Sequence, residues 1–405
     1  MSEITKNEQS ASPLLLLVLI LATALGPLAM SSFLPAIPAI QHEFQTSSSV
    51  AQLTMSLSMI SMAIFSLIYG SMADRHGRRP VLLVGVGAAV VGSLASAIAP
   101  SIEWAILGRA LQAAGSTSGL ILTRVIVHDI YGDKRTASVL GYIIAAMTLA
   151  PLVGPVIGGV LIEEYSWRYI FYGIALLAFL LWLIILVTLP ETRAEGYEHK
   201  EKLIPMADYK ALLARPETRN YLFYFALSQS TFMAFLGGIP FLIAVYYDFP
   251  ATLYALFVAP VALGYALGGL LAGRYADRIP HLVLVSGCSW ASTFAVFAGI
   301  LVFAMGVDSI WAICLPAALV SVAIGFASPA AQTEILKAAG RHSGSASGFS
   351  SFFQLVVSAA VAQFVGWSAT LGPYGVLFTM LACSLAAALL ISLTNPKRTK
   401  SAYRA

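Results

Sequence analysis

A single arginine lies deep inside an otherwise apolar stretch of this sequence. Arg109 follows Glu103 by six residues, and because a helix rises 1.5 Å per residue, it would lie about 9 Å from the helix end. A guanidinium at that depth faces a protein interior or a water-filled cavity. There it could bind an anionic group or stabilise the ionised form of a nearby carboxyl group. The alternative is an interfacial arginine whose side chain reaches back to water.

Acidic residues are missing from the places where they would neutralise this arginine. None of the 19 Asp and Glu residues falls in the middle third of an apolar stretch. The nearest ones lie at the ends of such stretches: Asp74, Asp129, Glu163, Glu164 and Glu334. A cavity that holds Arg109 and Arg124 without a buried negative charge favours neutral or anionic ligands, because nothing would offset the desolvation of a cation.

The composition excludes a soluble protein. Of the 405 residues, 59% are hydrophobic and 10% are charged, whereas a soluble domain carries about 25% charged residues. The net charge of +4 comes from basic residues in short loops rather than from a patch, which argues against a nucleic-acid partner. The three cysteines form no CxxC pair, so neither a disulfide framework nor a zinc site is predicted.

Enzymatic signatures are also missing from the sequence. It contains no GxxxxGK[ST] phosphate-binding loop, no HExxH metal motif and no serine nucleophile elbow. We therefore expect no cofactor, no metal ion and no enzymatic activity.

Twelve apolar stretches of 20 or more residues predict an all-α integral membrane protein with twelve transmembrane helices. They cover residues 13–35, 49–72, 80–99, 103–128, 138–162, 167–189, 219–245, 252–275, 281–304, 308–336, 343–367 and 371–393. If the N-terminus is cytoplasmic, 20 of the 23 Lys and Arg residues lie in cytoplasmic segments. This bias predicts that both termini are cytoplasmic.

The sequence repeats itself after 203 residues. Gly70, Asp74 and Arg75 at the end of predicted helix 2 recur at the end of predicted helix 8. Their counterparts are Gly273, Asp277 and Arg278. Repeated halves are typical of transporters in which two bundles rock about a midplane site. The predicted domains are an N-terminal bundle over 1–189, a cytoplasmic linker over 190–218 and a C-terminal bundle over 219–405.

Four motifs carry a resemblance to a known family. The loop after predicted helix 2 resembles the signature GxxxDRxGRR of the major facilitator superfamily through Gly70, Asp74, Arg75, Gly77, Arg78 and Arg79. Predicted helix 5 resembles that superfamily's antiporter motif, with one glycine replaced by alanine, through Gly141, Ala150, Gly154, Pro155, Gly158 and Gly159. Arg109, Gln112 and Gly115 resemble RxxQG, and the run 34–38 resembles the helix 1 exit of drug efflux members.

On these motifs the chain is similar to the twelve-helix drug:proton antiporters, most closely the bicyclomycin and chloramphenicol resistance subfamily. The resemblance implies the major facilitator fold, with two pseudo-symmetric six-helix bundles around one central cavity, in a bacterial inner membrane. It also implies that Arg109 belongs to the coupling apparatus. Relatives commonly carry an acidic residue just before the helix 1 exit, where this sequence has Ser31.

Polar and aromatic side chains on the predicted helices are, as a set, candidates for the substrate cavity, although any one of them is more often a helix-packing residue than a ligand contact. They are Ser31, Phe33, Arg109, Gln112, Tyr142, Tyr224, Gln229, Phe232, Gln332 and Gln354. Residues of the loop motifs and the glycine motif are candidates for gating. They are Gly70, Asp74, Arg75, Gly77, Arg78, Arg79, Arg124, Asp129, Gly154, Pro155, Gly158, Gly159, Gly273, Asp277 and Arg278.

Two of these gating interactions are specific enough to test. A carboxylate at a membrane helix end is costly unless it is paired, so Asp74 should find a cation or a helix N-terminus, and Asp129 should pair with Arg78. The small residues of the run Gly154-Pro155 and Gly158-Gly159 should let neighbouring backbones approach closely, and the resemblance implies that this run also forms a seam against predicted helix 8.

The predicted function is secondary active export of small organic molecules, as multidrug efflux by proton antiport. The alternatives are export of an endogenous metabolite such as a siderophore, or a sensor that uses the same scaffold without transport. The predicted partners are a small neutral or anionic substrate, protons and the lipid bilayer, and the chain is expected to be a monomer.

Without a helix 1 acid, proton coupling has two possible routes. A proton could be carried near Arg109 or by a carboxylate at a helix end, of which Asp129 is the better placed. Alternatively, an anionic substrate pairs with arginine and carries the coupling itself. A carboxylate beside an arginine keeps its charge and is a poor proton carrier, which favours the second route and a gating role for Asp129.

Overall fold

The computed structural model describes residues 13–193, 206–275, 278–339 and 343–394, with all side chains except some within 132–148, 206–217 and 338–345. Every regular element in these ranges is a helix. The α-helices are α1 (Pro13–Phe33), α2 (Ile37–Glu43), α3 (Ser48–His76), α4 (Arg78–Ala97), α5 (Ile102–Glu164), α6 (Arg168–Thr188), α7 (Met206–Ala214), α8 (Pro216–Phe241), α9 (Tyr254–Tyr275), α10 (His281–Ala304), α11 (Trp311–Ala339), α12 (Ser343–Ser368) and α13 (Pro373–Ser392).

Helices dominate because a lipid-embedded backbone must satisfy its own hydrogen bonds. Within the described residues, eleven helical stretches are long and apolar enough to cross a membrane. Prolines lie inside several of them, for example Pro27 in α1 and Pro260 in α9. Packed membrane helices tolerate such prolines.

The long helix α5 contains both predicted helices 4 and 5. A straight helix of its 63 residues would measure about 95 Å, whereas the hydrocarbon core of a bilayer is about 30 Å thick. Its contacts with α1 show that it turns back on itself. The first arm of α5, which contains residues 116 and 119, runs antiparallel to α1. Gly119 lies against Ala22, and Ser116 lies against Gly26. The second arm of α5, which contains residues 154 and 158, runs parallel to α1. Residue 154 lies against residue 31, and residue 158 lies against residue 32. The predicted break between the two helices is a reversal within one helical element.

Two other helix boundaries differ from the predicted ones. The first helix does not stop at residue 35: a 3-10 turn over Leu34–Ala36 leads directly into α2, which reaches Glu43. The linker predicted over 190–218 contains α7. The helix α8 begins at Pro216, and proline is favourable there because the N–H groups of the first helical turn have no intrahelical acceptor.

Packing divides the chain into two compact units. Unit 1 comprises Met1–Ile40 and Leu57–Ile204, and unit 2 comprises Gln41–Ser56 and Pro205–Ala405. The boundary therefore falls inside α3, whose first turns pack within unit 2. There Gln363 Nε2 donates to the Ser49 carbonyl oxygen at 2.8 Å, and Ser56 Oγ donates to Gln363 Oε1 at 2.7 Å.

Candidate functional site

Arg109 lies on the first arm of α5 and is 2% exposed. Its Nη1 donates to Gln112 Oε1, one turn further along the helix. Its Nη2 lies 3.4 Å from Met30 Sδ, and its Cζ lies 4.5 Å from the ring centroid of Phe33. A cation over an aromatic face is attracted by the ring quadrupole, so α1 supplies part of the stabilisation.

A short polar chain supports the arginine from behind. Gln112 Nε2 donates to Ser93 Oγ on α4 at 2.7 Å, and Ser93 Oγ donates to the Ala89 carbonyl oxygen at 2.6 Å. This chain fixes the amide so that its oxygen faces Arg109. Of the predicted cavity residues, Phe33, Arg109 and Gln112 are therefore brought together in unit 1.

The charge of Arg109 is not neutralised by its described contacts. None of them is a carboxylate, and its Nε is buried without a hydrogen-bond partner. An unsatisfied buried polar group costs about 1–3 kcal/mol, and more when it is charged. A group kept at that cost is a candidate functional group rather than a stabilising one.

Glycines allow α4 and α5 to approach closely enough for this arrangement. A Cβ at Gly92 would lie 2.7 Å from the Gly108 carbonyl oxygen, and one at Gly108 would lie 2.7 Å from the Ser96 amide nitrogen. Neither position can hold a side chain without the helices moving apart, which would separate Ser93 from Gln112.

Ser31 lies at the contact between α1 and the second arm of α5. Its hydroxyl is 2.9 Å from the Ala150 carbonyl oxygen and 2.8 Å from the Pro27 carbonyl oxygen. Cβ atoms at Gly154 and Gly158 would collide with Ser31 and Ser32 of α1. The predicted close packing of these two glycines is confirmed. The helix α1 occupies the side on which their Cβ atoms would lie, because the second arm runs along it.

A charged cluster joins the end of α3, the start of α4 and the middle of α5 in unit 1. Arg78 Nη2 lies 3.1 Å from Asp74 Oδ1, and Arg78 Nε lies 3.2 Å from Asp129 Oδ2. The predicted pairing of Arg78 with Asp129 is confirmed, and Asp74 has the same arginine as its cation. Thr192 Oγ1 also donates to Asp129 Oδ2, at 3.1 Å.

Glu191, which the sequence analysis did not single out, caps this cluster. Arg78 and Arg79 are the first two residues of α4. The carboxylate oxygens of Glu191 accept hydrogen bonds from their amide N–H groups at 2.9 Å and 3.3 Å. Gly77 just before them has φ +99°, and a Cβ there would lie 2.9 Å from the Glu191 carboxyl carbon. Acidic residues stabilise helix N-termini, but Glu191 is 113 positions from Arg78, so no local pattern could have shown this cap.

Arg79 and Arg193 complete the cluster through backbone carbonyls. Arg79 Nη2 donates to the Leu186 carbonyl oxygen at the end of α6 at 2.6 Å, and Arg193 Nη1 donates to the Arg75 carbonyl oxygen at the end of α3. Cations at helix C-termini are favourable.

We predict that Glu191→Ala destabilises unit 1. Losing an N-terminal cap costs about 1 kcal/mol, so the thermal unfolding midpoint of the protein in detergent should fall. Glu164→Ala, at an exposed position on α5, is the matched control. Equal midpoints for the two variants would show that the cap contributes nothing.

The other predicted residues of unit 1 are scattered. Arg124 is exposed on α5, and Pro155 and Gly159 are buried on its second arm. A Cβ at Gly70 would meet nothing within 4 Å. The side chain of Tyr142 lies outside the described residues.

The predicted cavity residues of unit 2 differ in exposure. Tyr224 is buried, Gln229, Phe232 and Gln354 are half-buried, and Gln332 is exposed. Phe232 lies 6.0 Å from the ring centroid of Tyr265 on α9.

The second copy of the loop motif is only partly described. Gly273 has open space where a Cβ would be, and Arg278 lies 5.9 Å from the Tyr275 ring centroid. Asp277 lies outside the described residues.

One further residue of unit 2 had been noted only as a helix-end acid. Glu334 on α11 is the only acidic residue that is buried in the part of the chain the structure describes. Its Oε1 lies 2.6 Å from His281 Nδ1 and 3.1 Å from Lys337 Nζ.

Comparison with known proteins agrees with the motifs. The family model described as Major Facilitator Superfamily matches residues 19–362. Multidrug resistance protein D of Escherichia coli (strain K12) is 26% identical over 322 residues, which are 78% of this chain and 79% of that protein. The chloramphenicol resistance protein of Pseudomonas aeruginosa is 30% identical over 261 residues, which are 62% of this chain and 59% of that protein.

A solved structure shares the fold. A bacterial homologue of the human lysosomal transporter Spinster, in an inward-facing and occupied conformation, has a TM-score of 0.75 at 17% identity, with 96% of each chain covered. With the family match over most of the sequence and relatives named for drug resistance, the chain belongs to the major facilitator superfamily and resembles its drug-resistance members.

Proposed function

We propose that this chain exports small organic compounds from a bacterial cytoplasm by alternating access, in exchange for protons. The observation that carries the proposal is the similarity over most of the chain to a protein named for multidrug resistance. The distribution of Lys and Arg supports an orientation in the inner membrane with both termini in the cytoplasm.

Arg109 supports a particular substrate class. A buried guanidinium without a carboxylate partner favours a ligand that brings negative charge or hydrogen-bond acceptors. Its neighbours Phe33 and Met30 add an apolar surface. Neutral or anionic compounds with an aromatic or apolar body suit such surroundings, whereas cations do not.

The charged cluster around Arg78 supports a gating role. Two carboxylates and one guanidinium hold the end of α3, the start of α4 and the middle of α5 together, so that these segments can move as one body. We predict that Asp74→Asn slows transport several-fold. It should also change how fast thiol probes label single cysteines introduced on the cytoplasmic side. Unchanged transport together with unchanged labelling would remove the gating role of Asp74.

Export is tested with chloramphenicol as the probe. The chain is expressed in a bacterium that lacks its own efflux pumps, and everted membrane vesicles are given labelled chloramphenicol with and without an imposed pH gradient. Accumulation that requires the gradient and collapses with a protonophore is the expected result. Tolerance of the cells to chloramphenicol should rise in parallel. Vesicles that bind the probe without accumulating it would favour a sensor instead.

A second candidate, export of an endogenous anionic metabolite such as a siderophore, is favoured by the uncompensated charge of Arg109. Culture media of the parent and of a deletion strain can be compared by mass spectrometry. Loss of one anionic compound from the deletion medium, restored by the intact gene and not by Arg109→Ala, would support it.

A further inference from the structure

The buried carboxylate of Glu334 is poorly explained by packing alone. Its side chain is 8% exposed, near the C-terminal end of a helix long and apolar enough to cross a membrane. Buried ionisable groups in membrane helices are costly and mark functional sites. Asp129, the better placed carboxylate in the alternative in which a helix-end acid carries the proton, is held by Arg78 and Thr192 in unit 1.

The partner of Glu334 is titratable. His281 opens α10, and its Nδ1 lies 2.6 Å from Glu334 Oε1. Histidine is the side chain that changes charge close to neutral pH, and this imidazole is 21% exposed, so part of the ring reaches solvent. Lys337, one turn along α11, adds a positive charge at 3.1 Å from the same oxygen.

The internal repeat gives an independent indication. The offset of 203 residues places His281 at the position that Arg78 occupies in the first half. Each residue bonds a carboxylate on a neighbouring helix: Arg78 bonds Asp129, and His281 bonds Glu334. A guanidinium stays protonated in proteins, whereas an imidazole does not. One half therefore carries a fixed charge where the other carries one that can change.

The remaining helices around Glu334 add few ionisable groups. From α8, the phenol of Tyr221 interacts electrostatically with Glu334, and the other ionisable residues of that helix are Glu217, Arg219 and Tyr224. From α9, the one charged residue is Arg274, whose guanidinium lies 5.8 Å from the Tyr275 ring centroid. The sequence of α12 contains no ionisable side chain, and Asp277 lies outside the described residues.

We propose that the His281–Glu334 pair is a proton-exchange site, which takes up one proton from the aqueous side on which Arg274 and Arg278 lie. This inference rests on the proposed proton-coupled export. In the unloaded state, neutral His281 donates its Nδ1–H to Glu334, and the three side chains have no net charge. A hydronium ion gives its proton to the other ring nitrogen and leaves as water. The imidazolium then remains paired with the carboxylate, and the net charge becomes +1.

Loading this site should tighten the contact between α10 and α11. An imidazolium donates a stronger hydrogen bond to a carboxylate than a neutral imidazole does. The two helix ends should therefore be more protected from solvent at pH 6 than at pH 8. Unloading at higher pH would release them.

Hydrogen–deuterium exchange of the purified chain in detergent tests this without any substrate. Peptides covering 281–290 and 330–337 are compared at pH 6 and pH 8, with α13 peptides as the reference for the intrinsic effect of pH. We expect exchange at least threefold slower at pH 6 in the parent chain, equal exchange in His281→Gln, and slow exchange at both pH values in His281→Arg. A pH effect that persists in His281→Gln and Glu334→Gln would overturn the proposal.

Transport of chloramphenicol into everted vesicles gives the second readout. Glu334→Gln and His281→Arg should lose at least tenfold of the accumulation driven by a pH gradient while keeping probe exchange without a gradient. Glu164→Ala, at an exposed position on α5, should keep both. Gradient-driven accumulation that survives in Glu334→Gln would also defeat the proposal. If the parent chain does not accumulate the probe, proposed export of chloramphenicol fails, and the exchange experiment still decides the proton site.

Discussion

Arg109→Met should make the protein more stable and inactive. The substitution removes a buried charge whose Nε has no partner and whose described contacts include no carboxylate. Replacing buried charges by apolar side chains of similar size is often neutral or stabilising by about 1–4 kcal/mol. If the guanidinium binds substrate, as proposed, transport should fall at least tenfold in the same variant. A gain in stability with a loss of activity is the pattern expected of a functional group.

Arg168→Met is the matched control for this prediction. Arg168 Nη2 donates to the Ala99 carbonyl oxygen at the end of α4 at 3.1 Å, and its Cζ lies 4.4 Å from the Trp167 ring centroid. Its removal should lower stability and leave transport unchanged. Both unfolding midpoints can be followed with a thiol-reactive dye, because Cys314 and Cys383 are buried and become reactive on unfolding. Arg109→Met that unfolds at a lower temperature than the parent chain would show that the arginine is structural.

The fold could be predicted because hydropathy alone determines where helices cross a membrane. Apolar stretches of membrane length have little choice but to be helical. Connections are less predictable, since a polar stretch does not reveal whether it continues a helix. The segment between predicted helices 4 and 5 is helical throughout, and α7 occupies part of the predicted linker.

The site was predictable where its partners are close in sequence or in a motif. Asp74 and Arg78 are one helical turn apart, and Arg109 and Gln112 are three residues apart. Glu191 and the first turn of α4 meet only through the tertiary fold. The direction of a side chain was equally hidden, because it turns by about 100° per residue. The sequence showed that Gly154 and Gly158 form a packing surface but not that α1 lies against it.

The Glu334–His281 pair also could not be predicted from a local sequence pattern. Both residues lie at helix ends, where acidic and basic side chains are common and usually solvated. The sequence gives no sign that this carboxylate is buried, and the two residues are 53 positions apart. The internal repeat was the available signal, since it aligns His281 with Arg78.

Gly268→Ala and Gly269→Ala, one residue apart on α9, should have opposite effects on stability. A Cβ at Gly268 would collide with the Val322 carbonyl oxygen on α11 and would lie 2.8 Å from the Phe326 amide nitrogen. Because both are backbone atoms, no side chain can move aside, and the two helices must separate. Overpacking of this kind costs about 1–3 kcal/mol and occasionally more.

At Gly269 a Cβ would meet nothing within 4 Å. Alanine is the better helix former by about 1 kcal/mol, so Gly269→Ala should be neutral or stabilising. The same helices approach at Gly264, where a Cβ would lie 2.6 Å from the Ala318 carbonyl oxygen, and Gly264→Ala should therefore behave like Gly268→Ala. Thermal unfolding in detergent and the yield of folded protein measure all three variants. Equal stability of Gly268→Ala and Gly269→Ala would mean that α9 and α11 do not cross at the described distance.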